Sequence, residues 1–194
     1  MTTLPPDTSR SSTARSTGDA PLRRFPAFAA LAALALAYIP AIGPAEATPR
    51  VVRFQGDYAP GTIVIVKRQR TLYFMLDRGK AIRYPVAVGR RGHSWTGRTH
   101  VEGKHVTPAW APPSIVRRWN PSLPDYIPGG APDNPMGARA LTLALPEIAI
   151  HGTTRSMRRS IGQAASFGCI RMYNEHVIDL FDRVRVGATV IALP

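Results

Sequence analysis

The residues of this chain best suited to covalent chemistry are a cysteine and a histidine. Cys169 is the only cysteine among 194 residues, and it sits in the run Ser166-Phe167-Gly168-Cys169-Ile170-Arg171-Met172. His151 ends an apolar run that starts after Glu147. The thiolate is the nucleophilic form of cysteine, and a free cysteine at neutral pH is mostly thiol. A nucleophilic cysteine therefore needs a base or a positive charge beside it, and His151 and Arg171 are the candidates. Gly168 permits a backbone conformation, or a closeness of approach, that a side chain would forbid. That suits a nucleophile carried on a tight turn. The structural alternative is a small buried cysteine and a hydrogen-bonded core histidine. An exported chain has little reason to keep one unpaired thiol unless chemistry requires it.

The surrounding residues suggest further roles. The N–H groups of Gly168 and Cys169 are candidate donors to an oxyanion. No acidic residue near His151 in sequence could orient it, so a backbone carbonyl near Gly152 is expected to do so. Arg171 could favour the thiolate, bind a substrate carboxylate or form a structural ion pair. Ser166 could hydrogen-bond within the turn or to substrate.

These residues must be positioned by short strands. Residues 147–152 read as a buried strand carrying His151 at its end, and 140–145 as the strand before it. A β-branched run at 62–66, followed by strand-like runs at 71–76 and 81–88 and joined by tight connections, predicts an antiparallel meander. Residues 89–103 read as a flexible, glycine-rich connection. The proline-rich stretch 107–135 excludes a long helix or a central strand and allows only a helical turn at 114–119. It is expected to be an ordered loop forming a cleft wall, a lid or a cover for a sheet edge. Apolar residues at helical spacing predict a helix over 174–184 with Asn174 as N-cap and Gly187 beyond its end. A final strand follows at 189–193. His176, in the helix's first turn, reads as a surface or capping residue. His93, His100 and His105 fit no metal-ligand spacing, and neither a metal nor another cofactor is expected.

The N-terminus carries a different signal. Residues 1–20 are polar and are expected to be disordered. Residues 21–47 run from a basic pair through an apolar stretch to a small-residue site after Ala47, which reads as a secretory signal peptide, with a membrane anchor as the alternative. A linker is expected over 48–61. The formal net charge of +13 draws anionic partners, but the export signal and the lack of a binding motif exclude nucleic acid as the first choice. The expected location is outside the cytoplasm, in the periplasm or associated with membrane or wall.

The spacing from His151 to Ser166-x-Gly168-Cys169-hydrophobic-Arg171 resembles the signature of L,D-transpeptidases with a YkuD-type catalytic domain. Residues 127–141, IPGGAPDNPMGARAL, and Pro108-Ala109-Trp110-Ala111-Pro112-Pro113 match in the same order. One departure is Phe167, where many members carry a second histidine. The resemblance implies a mainly β, sandwich-like catalytic domain over 62–194, with one or two short helices and a long proline-rich loop over the site. It also implies Cys169 as nucleophile, His151 as proton donor and acceptor, and Arg139 near the substrate. The implied activity is acyl transfer from a tetrapeptide stem of peptidoglycan to an amine, either on a second stem or on an outer-membrane protein or lipoprotein. Carbapenems are the implied covalent inhibitors. An L,D-carboxypeptidase or other hydrolase on the same scaffold, and a non-catalytic wall-binding protein, remain as alternatives.

Overall fold

The computed structural model describes residues 49–194, so the expected disordered extension and signal peptide lie outside the described residues. The strands are β1 (Arg50–Arg53), β2 (Ile63–Val66), β3 (Thr71–Asp77), β4 (Lys80–Pro85), β5 (Val88–Gly89), β6 (Gly97–Val106), β7 (Arg139–Leu143), β8 (Ala149–His151), β9 (Ala164–Ser166), β10 (Ile170–Arg171) and β11 (Thr189–Leu193). Two α-helices, α1 (Ser114–Trp119) and α2 (Asn174–Arg183), complete the regular structure with two short 3-10 turns.

Nine strands form one sheet in the order β1-β4-β3-β2-β11-β6-β7-β8-β10, and β5 pairs with β9 apart from it. The expected meander is present. β2, β3 and β4 are antiparallel neighbours, with Ile63 opposite Phe74 and Phe74 opposite Ile82. Gly79, at φ +90°, makes the two-residue turn between Asp77 and Lys80 possible. The run Ile63-Val64-Ile65 is apolar without alternation because both of its faces are covered. Ile63 and Ile65 enter the main core, whereas Val64 joins Met75 and Ala81 under Phe54 and Tyr58.

The main core collects Leu72 and Tyr84 from one end of the strand order, Leu141, Ile150 and Ile170 from the other, and Val177 and Leu180 from α2. Because both ends of the sheet contribute to one core, the sheet forms two layers around it, as the sandwich expectation requires. α2 packs on β7 and β8. Lys104 of β6 closes its C-terminal end, donating to the carbonyls of Phe181 and Val184 at 2.6 and 2.7 Å.

Three local expectations change. The segment read as a linker carries β1, paired with β4, and supplies Phe54 and Tyr58 to the second apolar cluster. The connection read as flexible over 89–103 contains most of β6, which stands between β11 and β7. Its alternation of buried Thr99 and Val101 with exposed Arg98, His100 and Glu102 is strand-like, but its glycines obscured the pattern. Tyr173, not Asn174, occupies the N-cap of α2, and it makes no side-chain cap bond.

Candidate active site

β8 and β10 run parallel, with Ile170 opposite Ile150 and Arg171 opposite His151. One residue earlier on each chain, Cys169 stands opposite Ala149. Side chains alternate between the faces of a strand, so Ile150 and Ile170 enter the core while His151, Cys169 and Arg171 share the other face. His151 is thus the diagonal neighbour of Cys169, and such neighbours lie about 7–8 Å apart between Cα atoms, within reach of an imidazole. The strand pairing brings together two residues far apart in sequence.

The turn before β10 aims the thiol. Gly168 has φ +134°, and a Cβ there would lie 2.6 Å from Cδ1 of Ile148. Both freedoms expected of this glycine are therefore used. Ser166 locks the turn: its hydroxyl donates to the Cys169 carbonyl at 2.6 Å and accepts from the Gly168 N–H at 3.1 Å. Trp95 holds the Gly168 carbonyl through its indole N–H at 3.2 Å. Of the two amides considered for an oxyanion, Gly168 is engaged inside the turn, and only the Cys169 N–H is without a partner among the described residues. Ser166 serves the turn and has no donor left for substrate.

The thiol borders a cleft of about 750 Å³. Ala109 to Pro113 form one wall, and Thr142 to Ala149 form the other. The proline-rich segment is thus a cleft wall, as expected. The Cys169 thiol donates to the Glu147 carbonyl at 3.5 Å. Glu147 also accepts the Ser114 N–H through Oε1 at 3.2 Å, tying the start of α1 to the nucleophile. This residue was read as part of a strand, but it has φ +59° and precedes β8. Nothing in the sequence marks that conformation, since a non-glycine residue rarely adopts it.

The electrostatics describe a neutral resting pair. Burial pushes the Cys169 thiol up, against the opposing influences of the Ala149 backbone and the Arg171 guanidinium, and Glu147 adds to the rise. His151 is pulled down to about 3, first by burial and then by Arg171, although the backbone of Gly152 and of Pro135 favours its protonated form. The imidazole is 4% exposed, and its Nδ1 has no well-aligned acceptor. At neutral pH the site therefore holds a thiol and a neutral imidazole rather than a preformed ion pair. Arg171 is 9% exposed, donates to Ser160 Oγ at 2.8 Å and has no acidic partner among the described residues. Of the roles considered for it, the ion pair is absent and proximity to the thiol is present.

Gly152 and Arg139 lie outside the cleft. The Gly152 N–H donates to the Arg139 carbonyl at 3.1 Å. Arg139 alternates on β7 with Ala140, which stands opposite His151, and its guanidinium lies 5.5 Å from the Phe181 ring of α2. The structure thus does not bring the Arg139 side chain to the cleft. Close packing explains Gly152: a Cβ there would lie 2.1 Å from Oδ1 of Asn174. That oxygen accepts the N–H groups of Ala138 and Thr153 at 3.1 and 3.0 Å, and Asn174 Nδ2 donates to the Thr153 carbonyl at 2.9 Å. Asn174 thus clamps the chain just beyond His151 to the entry of β7. The side chain read as a helix cap has this positioning task instead.

The remaining histidines are dispersed. His93 meets the Phe167 ring edge-on at 5.2 Å, and His105 pairs with the Thr142 hydroxyl at 3.3 Å. His176 is buried between the rings of Tyr84 and Tyr173, so it is not at the surface. Phe167, in place of the common histidine, touches Trp119 and Arg90.

The family model for the YkuD L,D-transpeptidase catalytic domain matches residues 60–191. The chain belongs to this family. The Escherichia coli K12 protein named "Probable L,D-transpeptidase ErfK/SrfK" is 34% identical over 161 residues, covering 79% of this chain and 50% of its own. The chain thus spans about half the length of that relative. A Fuscovulum blasticum protein named "Putative L,D-transpeptidase in ATP synthase subunits region ORF 5" is 32% identical over 187 residues, covering 82% of this chain and 94% of its own. L,D-transpeptidase 3 from Mycobacterium tuberculosis shares the fold, with a TM-score of 0.57 at 15% identity over 75% of this chain and 62% of its own.

Proposed function

We propose that this L,D-transpeptidase-family chain transfers an acyl group from a peptidoglycan tetrapeptide stem to an amine through a thioester on Cys169. The observation that carries the reading is the placement of Cys169 at the cleft, with His151 its diagonal neighbour across the β8–β10 pairing. As Sγ adds to the carbonyl carbon between the third stem residue and the terminal D-alanine, the thiol proton passes to His151. Collapse of the adduct breaks the C–N bond, and the imidazolium returns that proton to the departing amine. An acceptor amine then attacks the thioester and gives its proton to His151, which passes it to the leaving thiolate.

Burial raises the thiol and lowers the imidazole, so the resting electrostatics oppose proton transfer ahead of bond formation; the proton leaves Sγ only as Sγ bonds to the carbonyl carbon. The neutral imidazole is in the form that can take that proton, and the Arg171 guanidinium favours the negative charge developing on Sγ. The Cys169 N–H is the amide available to the oxyanion. Export to the periplasm is part of the same proposal and rests on the signal-like segment at 21–47.

Intact mass of the purified domain after incubation with a carbapenem tests the nucleophile. L,D-transpeptidase 3 from Mycobacterium tuberculosis has been solved with a faropenem-derived adduct, so β-lactam chemistry is a reasonable probe of the fold. An adduct on the wild type that disappears in Cys169→Ala supports the reading. No adduct on a fully reduced thiol sinks it and leaves a wall-binding protein. Tetrapeptide stems with and without an amine then separate crosslinking from hydrolysis.

A further inference from the structure

Beside the nucleophile turn, and outside the lining of the cleft, stands a guanidinium with no acidic partner among the described residues. Arg90 Cζ lies 3.7 Å from the Phe167 ring centroid and 4.4 Å from that of Trp119, and the two rings are 5.9 Å apart at 65°. Arg90 therefore sits in the corner between the two rings. It is half-buried, and its side chain has neither an ion pair nor a hydrogen bond among the described residues. Its backbone is fixed to the nucleophile turn, since its N–H donates to the Ser166 carbonyl at 3.0 Å and β5 pairs Gly89 with Ser166.

We infer that Arg90 forms a carboxylate subsite that holds the free carboxylate of the stem's departing terminal residue, an inference that rests on the acyl-transfer reading above. Stacking on aromatic faces leaves the in-plane N–H groups of a guanidinium free, and their fork matches a carboxylate. The location fits a group just beyond the scissile bond. α1 starts at the cleft wall, where Ser114 is tied to Glu147, and ends with Trp119 against Arg90. Six helical residues span about 9 Å, the reach of two or three residues of extended peptide, and Phe167, which Arg90 covers, stands two residues before Cys169. With the larger acyl part in the cleft, the departing residue faces Arg90. Phe167 then has a task that a histidine there would perform less well: it is an apolar wall that shields one face of the cation from water, and a protonated imidazole would repel that cation.

The test compares kcat/KM for a tetrapeptide stem with a free C-terminal carboxylate and for the same stem as its C-terminal carboxamide. Wild type, Arg90→Ala, Arg90→Lys and Phe167→Leu are assayed, with iodoacetamide alkylation of Cys169 as the control for an intact turn. Charge-assisted hydrogen bonds of this kind are worth roughly ten- to a hundredfold. The wild type is expected to prefer the acid by that factor, mainly through KM. Arg90→Ala should bring the acid-to-amide ratio close to one, and Arg90→Lys and Phe167→Leu should lie between. An equal loss on both stems in Arg90→Ala, or an unchanged ratio, overturns the inference while leaving acyl transfer standing. If the wild type forms no product and no carbapenem adduct, acyl transfer itself fails and the subsite falls with it.

Discussion

The two halves of the sheet differ in what they bury. β2, β3 and β4 bury mainly aliphatic and aromatic side chains, with Val64 and Met75 covered on one face and Ile63, Ile65 and Leu72 on the other. β7, β8 and β10 bury a histidine and two arginines or their stems, and among the described residues Arg139 Nε, His151 Nδ1 and Arg171 Nε lack a well-aligned hydrogen-bond partner, whereas beside the first half Arg70 Nε, just before β3, is such an atom. Unpaired buried polar atoms are destabilising. The second half therefore gives up stability to hold reactive groups, and the first half supplies packing that offsets this. Activity and stability should consequently separate by region.

The largest expected effect is on activity alone. Cys169→Ala should lower acyl transfer by at least about a thousandfold while changing unfolding free energy by less than about 1 kcal/mol, because a small half-buried side chain is exchanged for a smaller one. Leu72→Ala should do the reverse. Leu72 is fully buried, and removing such a side chain costs about 2–5 kcal/mol. Carbapenem labelling of the folded fraction should nevertheless remain complete. Urea unfolding beside intact mass measures both. A destabilised Cys169→Ala, or a stable but unreactive Leu72→Ala, would break the division.

The same division explains what could be read from the sequence. The meander was legible because short apolar runs and a two-residue turn are local signals, and the Gly168-Cys169 turn because its glycine sits beside the thiol. The partnership of β8 with β10 rests on parallel pairing across a long connection, and no local pattern encodes that register. β6 was missed because Gly97 and Gly103 interrupt an alternation that becomes regular only when β11 and β7 flank it. Asn174 was misread for a related reason. An asparagine before an apolar helix usually caps it, but here the space left by Gly137 and Gly152 draws its side chain away to Ala138 and Thr153.

Asn174→Ala should lie between the two extremes. It removes three hydrogen bonds and leaves the Thr153 amide and carbonyl buried without partners. The expected loss is about 2–3 kcal/mol. Because the clamp holds the chain just after His151, kcat for acyl transfer should fall as well, while iodoacetamide alkylation of Cys169 stays near wild type. Asn174→Asp would keep the acceptor and lose the donor, giving a smaller fall. If both variants lose stability with kcat unchanged, the clamp belongs to the packing half of the comparison and not to the reactive half.

The smallest effect is a dependence of stability on pH that belongs to His151. Unfolded, its imidazole takes up a proton near 6.5; folded, it does so only at about 3. Between those values the unfolded chain binds more protons, so stability falls as pH falls, and the contribution is fully present only above 6.5. The slope approaches one proton, about 1.4 kcal/mol per pH unit, which gives a loss of roughly 1.5–2 kcal/mol from pH 7 to pH 5. His151→Gln has no titrating ring and should flatten that interval. Glu175 and Asp179, both held below their ordinary values by Arg158 and Arg183, also lose stability in acid. Their contribution is common to wild type and variant and cancels in the difference. Urea unfolding of both proteins across pH 5–7 measures that difference. Parallel curves would mean that the imidazole is already charged or exposed in the folded chain, and a neutral base beside Cys169 would be lost from the proposal.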